Sequence, residues 1–352
     1  MLTNKLSDGS TGTTRTAGPV PSTMRAVMQR AYGSTDALHY TVTSTPAPRD
    51  NEVLIAVSAA AVDRATWHLM TGQPYAARLA FGLRKPSTPI PGRSLAGTVV
   101  EVGQQVQRFA VGDRVFGVGR GAFAQYATAA EDQLSEIPSG IEFAAAAAVP
   151  DSGLTALQAV VDVAQVAPGD SVLIIGASGG VGTFATQIAS NIGADVTGVC
   201  STAKTDLVGS LGANRVIDYT RATIESEGTD YDVVIDIGGN TSLRRLRNVM
   251  QPRGTLVIVG GEGAGKWLGG TDRQLRAIVW SRFVEQRLTT FIATEHHEGL
   301  DTLAAMLADG SVVAAVTQRC ALADVAQTID DLAAGRIAGK AVTVIDAAGD
   351  AS

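Results

Sequence analysis

A chain of 352 residues with a formal net charge of −6 and two cysteines, Cys200 and Cys320, is long enough for two domains. Those numbers argue against a disulfide framework, a four-cysteine zinc lobe and a basic nucleic-acid-binding surface. Hydrophobic residues at 45% against 18% charged, with 39 glycines, suit an α/β protein built on glycine turns, and no run of eighteen apolar residues predicts a membrane span.

In chain order, residues 1–23 are rich in Thr, Ser, Gly and Pro without an apolar stretch, and read as a disordered leader. From Met24 the pattern predicts strands at Arg25–Gln29, Leu38–Thr43, Val53–Val62, Ala96–Val102, Arg114–Gly117 and Ala122–Thr128. The Val53–Val62 run is apolar enough to be buried on both faces. Residues Pro74 to Pro91 form a longer irregular excursion with Arg78, Arg84 and Lys85, which reads as a lid or pocket rim. After Ala144–Ala148 the rhythm changes. Strands at Val172–Ile175, Val196–Val199, Val216–Ile217, Val233–Ile235, Leu256–Val259 and Leu288–Ile292 alternate with helical segments, which predicts a doubly wound parallel sheet. Thr302–Leu307 and Leu322–Ala334 read as helices. The last strand, Ala341–Ile345, has no parallel partner nearby in sequence and is expected to return to the β-rich part.

The most informative stretch joins the strand Val172–Ile175 to a helix starting near Gly180. Ala177-Ser-Gly-Gly-Val-Gly182 fits the dinucleotide fingerprint with Ala in place of its first glycine. Gly179 admits a pyrophosphate close to the backbone, and Gly182 lets the helix pack on the strand. Ser178, Gly179, Gly180 and Val181 are therefore expected around the phosphates, at a positive helix end. Specificity is set at the end of the second strand of such a unit, where an acid receives a ribose 2′-hydroxyl. Here that place reads Cys200-Ser-Thr-Ala-Lys204, with no carboxylate before Asp206. Hydroxyls and a lysine suit a 2′-phosphate, so NADPH is the expected cofactor.

The layout of a β-rich first part, a central dinucleotide unit and a short C-terminal return resembles the medium-chain dehydrogenase/reductase superfamily. Local motifs agree: Pro91-Gly-Arg-Ser-Leu-Ala-Gly97, Val99-Val-Glu-Val-Gly103, Phe109 to Gly117, Val149-Pro-Asp-Ser-Gly-Leu-Thr-Ala156 and Ala338-Gly-Lys-Ala-Val342. Trp67-His68-Leu69-Met70 and Gly82–Pro86 look like its zinc-free quinone oxidoreductase-like branch, close to the reticulon-interacting mitochondrial oxidoreductase and bacterial relatives. The resemblance implies a Rossmann doubly wound parallel sheet over 149–293. It implies a GroES-like β-rich catalytic domain over 24–148 and 294–352.

The resemblance also implies that Ser201, Lys204 and Tyr219 hold the 2′-phosphate, with Thr155 near the nicotinamide end and Gly238 and Gly260 at close approaches. Plainer readings stand beside these: Lys204 as a solvated first-turn residue, Tyr219 as packing, Thr155 as a hydroxyl satisfying its own helix, Asn240 as a turn residue. At the positions matching zinc ligands stand Asp63, Arg93-Ser94 and about Ala148, and the four histidines lack ligand spacing, so no metal is expected.

Without a metal, the groups for a developing oxyanion are sought on Asp63-Arg-Ala-Thr-Trp-His68 and at Arg93, giving His68, Asp63, Arg93 and Thr66 as catalytic candidates. His68 is alternatively a structural hydrogen-bonder. Asp63 is expected to pair with Arg93, and Trp67, Phe81 and Trp280 to line an apolar pocket. The expected function is reduction of a quinone or a carbonyl-conjugated C=C bond, with an NADPH-binding protein of little turnover as the alternative. A small-molecule substrate, a homodimer paired through the edge strand Leu288–Ile292, and a cytoplasmic location complete the expectation, with neither nucleic acid nor membrane as partner.

Overall fold

The computed structural model describes residues 19–75, 78–226, 228, 230–260 and 269–346. Residues 1–18 of the expected leader lie outside that range, and Thr23 already belongs to the first strand.

The β-rich part opens with β1 (Thr23–Gln29) and β2 (Leu38–Ser44), followed by β3 (Glu52–Val62), α1 (Arg64–Thr71), α2 (Arg78–Phe81), β4 (Ser94–Val102), β5 (Arg114–Val118), β6 (Tyr126–Ala130) and β7 (Leu134–Glu136). α2 is the one helix described within the Pro74–Pro91 excursion, of which residues 76 and 77 lie outside the described range. Strand β3 is buried on both faces as its apolar run requires, and its small residues Ala59, Ala60 and Ala61 allow α3 (Phe143–Ala147) to pack closely against it. The predicted strand Ala122–Thr128 is displaced: Ala122, Phe123 and Ala124 are buried, but outside the ladder. Ala124 packs against Met24 and Ala26 of β1 and meets Ala26 in an isolated antiparallel bridge, while Ala122 and Phe123 join the core around β3 and β4.

The second part runs through α4 (Pro150–Leu157), β8 (Ser171–Ile175), α5 (Gly180–Ile192), β9 (Asp195–Cys200), α6 (Thr205–Ser210), β10 (Arg215–Asp218), β11 (Tyr231–Asp236), α7 (Leu243–Asn248), β12 (Met250–Ile258), α8 (Thr271–Ser281) and β13 (Arg287–Thr290). Its six strands form one parallel sheet in the order β10-β9-β8-β11-β12-β13. The order reverses between β8 and β11, and in open α/β sheets a crevice for ligands lies at the carboxyl ends of the strands at such a point. Helix α5 buries Phe184, Ala185, Ile188 and Ala189 on one face and stops at Gly193, whose φ of 96° suits a residue without Cβ.

The chain closes with α9 (His297–Ala308), β14 (Val316–Ala321), α10 (Val325–Ala333) and β15 (Lys340–Val344). β15 does return to the β-rich part, antiparallel to β3. It also has a parallel neighbour close in sequence, β14, contrary to expectation. β14 alternates exposed and half-buried residues at the sheet edge, and so lacks the apolar run that marks the other strands. Among the described residues no helix is long and apolar enough to cross a membrane.

Candidate active site

At the switch point, β8 ends in Gly176, whose φ of 88° turns the chain sharply, and Gly179 caps α5 in extended conformation. Thr183 N–H donates to Gly179 O at 2.9 Å, so the N–H groups of Gly180, Val181 and Gly182 precede the first intrahelical bond. The Ser178 carbonyl accepts from Gly339 N–H at 2.7 Å, tying this turn to the start of β15. On the neighbouring strand, Gly238 N–H donates to Ile175 O at 3.1 Å, so Gly238 lies directly beside the turn. Gly260 follows β12, and its N–H bonds Asp236 O at 3.3 Å. Open helix N–H groups between glycines fit a dinucleotide diphosphate.

Facing Gly180 is a buried polar cluster. The Lys340 side chain, 2% exposed, pairs its ammonium with Asp63 Oδ1 and donates to Ser152 Oγ at 2.9 Å. A Cβ on Gly180 would stand 2.9 Å from Ser152 Oγ and 3.1 Å from Lys340 Cδ, so the cluster touches the cofactor turn. Asp63 precedes α1, and its Oδ2 is buried without a hydrogen-bond partner among the described residues, as is Thr66 Oγ1. The expected Asp63–Arg93 pair is therefore corrected. Asp63 is held by Lys340, and Arg93, the residue before β4, pairs instead with Glu295 ahead of α9. A lysine beginning a buried strand must bury its charge against an acid, and β15 lies beside the end of β3 that leads into Asp63.

Asp151, at the start of α4, takes its N–H to Ser94 Oγ at 3.3 Å, and its Oδ2 is buried and unpartnered. Burial, then the Asp63 charge, push this carboxyl up to about 6, against the pull of Arg93 and Lys340. Thr155 Oγ1 donates to Asp151 O at 2.6 Å, which is the plainer of its two readings. His68 Nδ1 lies 2.9 Å from Gln73 O, and the His68 ring meets Trp67 edge-on.

The three aromatics expected around one pocket fall apart. Trp67 lines a groove of about 410 Å³ with Tyr32, Tyr75 and Arg78, Phe81 is 42% exposed, and Trp280 packs on the parallel sheet beneath Arg247. Of the four histidines, His297 has a local partner, its Nδ1 lying 3.1 Å from Asp301 Oδ2.

At the expected 2′-phosphate end, Ser201 follows β9 and caps a short turn, and Tyr219 is exposed after β10. Lys204 donates to Gly335 O at 2.9 Å and Ile337 O at 2.7 Å, and burial lowers its pKa. The acid missing from β9 is approached from β10: Thr202 Oγ1 donates to Asp218 at 2.6 Å, and that bond holds the Asp218 carboxyl below its ordinary range.

Sequence reasoning missed Asp151, Ser152, Glu295 and Lys340 as members of the site. It also missed the buried Asp236–Arg273 pair, in which Asp236 closes β11 and accepts Gly239 N–H at 3.1 Å. The signal available was a charged residue opening an apolar strand, at Lys340, and one following an alanine run, at Asp151. Among the described residues, no three His, Cys, Asp or Glu side chains converge on a metal position.

Two family models match: an alcohol dehydrogenase GroES-like domain over residues 49–139 and a zinc-binding dehydrogenase over residues 211–343. A chloroplastic quinone oxidoreductase of Triphysaria versicolor is 30% identical over 334 residues, covering 89% of this chain and 97% of its own. A 2-methylene-furan-3-one reductase of Solanum lycopersicum is 32% identical over 269 residues, covering 72% of this chain and 67% of its own. Among solved structures, the quinone oxidoreductase from Coxiella burnetii superposes with a TM-score of 0.79 at 26% identity, over 92% of this chain and all of the other. Fold, glycine turn and relatives agree on an oxidoreductase using a nicotinamide cofactor, and the chain belongs to the quinone oxidoreductase-like branch of the medium-chain dehydrogenase/reductase superfamily.

Proposed function

We propose that this chain is an NADPH-dependent, metal-free reductase of quinones or of carbonyl-conjugated C=C bonds. The observation that carries the reading is the Asp63–Lys340–Ser152 cluster packed against Gly180, where the residues match a cofactor turn and not a metal. An arginine beside the site repels a cation, and Asp63 already has an ammonium on Oδ1, so this donor set does not fit zinc.

Residues 149–293 form the cofactor-binding part in this reading, and 24–148 with 294–352 the GroES-like catalytic part. Ser178, Gly179, Gly180 and Val181 hold the diphosphate, Gly238 and Gly260 admit the cofactor backbone, and Thr155 lies at the nicotinamide end. Ser201, Lys204 and Tyr219 take the 2′-phosphate. A lysine ammonium has three donors, and Gly335 and Ile337 use two of those on Lys204, leaving the third for a phosphate oxygen.

When bound, the reduced nicotinamide supplies a hydride. The chain's own task is to orient the acceptor and stabilise the charge that develops on its oxygen. Arg93 offers the charge, His68 and Thr66 on α1 are the further contacts, and Asp63 fixes Lys340. The name and fold of the Coxiella burnetii protein and the activity named for the Solanum lycopersicum relative support this acceptor class.

The test is oxidation of saturating NADPH, against NADH, across a panel of quinones, enones and enals. No turnover with any of them sinks the reading, and stoichiometric zinc in the purified protein sinks its metal-free part. A second reading, an NADPH-binding protein with little turnover, is favoured by the commitment of Asp63 to Lys340. Tight NADPH binding with complete inactivity would select it. The reading also includes a homodimer joined along β13.

A further inference from the structure

We propose that Asp151 is the proton donor of this site, its carboxyl protonating the substrate oxygen on which charge develops. The inference rests on the reductase reading and names a catalytic group that the sequence pattern left unassigned.

Four charged groups act on Asp151. From the start of α1 comes Asp63, from the residue before β4 Arg93, from the segment before α9 Glu295, and from β15 Lys340. Lys340 is paired with Asp63 and Arg93 with Glu295, so each cation already has its carboxylate. Asp151 is the acid left over. A third negative charge on a carboxyl with a buried, unpartnered oxygen is expensive, and the group escapes the cost by keeping its proton. Its pKa of about 6 follows from burial first and Asp63 second, even though the N-terminus of α4 favours the charged form.

Geometry makes that proton useful. Asp151 Oδ2 is shielded from water and bonds to no described group. The backbone around it is fixed, by Ser94 Oγ on its N–H and by Thr155 Oγ1 on its carbonyl. The next residue, Ser152, bonds Lys340 at 2.9 Å and lies against Gly180 of the cofactor turn. Asp151 is thus one residue removed from a side chain that touches the proposed cofactor turn. Asp63 Oδ2 is also buried and unpartnered but belongs to a carboxylate paired with Lys340.

The step balances as follows for an enone. The β-carbon gains the hydride with its electron pair, the C=C π pair shifts toward the carbonyl, and negative charge develops on oxygen. The Asp151 O–H bond breaks as the new O–H bond forms, and the enol tautomerises to the saturated ketone. Solvent then reprotonates the Asp151 carboxylate.

Asp151→Asn and Asp151→Glu test this, with His68→Asn as the comparison. The readouts are kcat against pH, NADPH affinity by fluorescence titration, thermal unfolding, and infrared difference spectra of the cofactor-free protein on either side of pH 6. In the wild type, kcat should fall about tenfold per pH unit above the Asp151 pKa, because only the protonated acid donates. Asp151→Asn should lose on the order of 10²-fold in kcat and the pH limb together, with NADPH affinity and folding retained. Asp151→Glu should recover part of the rate, and His68→Asn should keep the limb. A protonated-carboxyl band present below pH 6 should vanish above it in the wild type and be missing in Asp151→Asn. An active wild type whose Asp151→Asn variant keeps its rate or its limb overturns the proposal alone, as does a wild type without that titrating band. A wild type that binds NADPH yet reduces no member of the panel overturns the reductase reading and the proposal with it.

Discussion

The ammonium of Lys204, on the turn after β9, donates to the carbonyl oxygen of Ile337 at 2.7 Å, on the segment leading into β15. One cation therefore ties the proposed 2′-phosphate end to the strand that carries Lys340. Lys204→Ala should weaken NADPH binding about tenfold, the worth of a charge-assisted hydrogen bond, while NADH binding is unchanged. Fluorescence titration with both cofactors measures this, and equal losses for the two would remove Lys204 from the phosphate site.

Breaking the buried pair from either side should be costly. Asp63→Asn and Lys340→Met each leave a lone buried charge and should each destabilise by about 3–5 kcal/mol. The double variant Asp63→Asn/Lys340→Met should cost less than the sum of the singles, because neither charge then remains. Urea unfolding of the four proteins decides it; additive losses would mean that the two residues do not share an interaction.

Gly180→Ala places a methyl 2.9 Å from Ser152 Oγ and 3.1 Å from Lys340 Cδ. The strain should cost about 1–3 kcal/mol in stability. The methyl should also weaken cofactor binding, since it stands at the helix N-terminus that receives the diphosphate. Thermal unfolding and NADPH titration read the two effects separately, and unaltered affinity would move the diphosphate away from Gly180.

The edge strand β13 has large apolar side chains near it, with Ile292 93% and Phe283 79% exposed. A two-fold pairing of β13 would cover them. Light scattering should give a dimer for the wild type and a monomer for Phe283→Glu/Ile292→Lys with unchanged circular dichroism. A monomeric wild type refutes the pairing.

Asp151 also carries a stability signature. Its folded pKa of about 6 lies above the ordinary carboxyl value near 4, so between the two the folded state binds more protons than the unfolded state. The contribution is complete below about pH 4 and is lost as pH rises through about 6. Asp151→Asn should flatten this slope. Chemical denaturation across that range tests it, and an unchanged slope would place the titrating group elsewhere.

The parallel sheet was legible because strands buried on both faces appear as apolar runs, as in Val172–Ile175 of β8 and Val233–Ile235 of β11. β14 was not, since an edge strand of Val, Thr, Gln, Arg, Cys and Ala has no such run. The glycine turn between β8 and α5 was legible from its spacing together with the apolar strand before it and the helix after it. Pairing within the site was not. Asp63 and its cation are 277 residues apart, and only topology decides that Lys340 and not Arg93 arrives there. Glu295 drew no notice in sequence because nothing local distinguishes it from an ordinary loop acid.

That separation has a consequence for biosynthesis. Asp63 is translated early and its counter-charge lies in the last strand, so a nascent chain carries an unmatched acid at the heart of the fold until β15 has left the ribosome and docked. A prematurely ended chain would keep every strand of the cofactor sheet and still be unable to close around it.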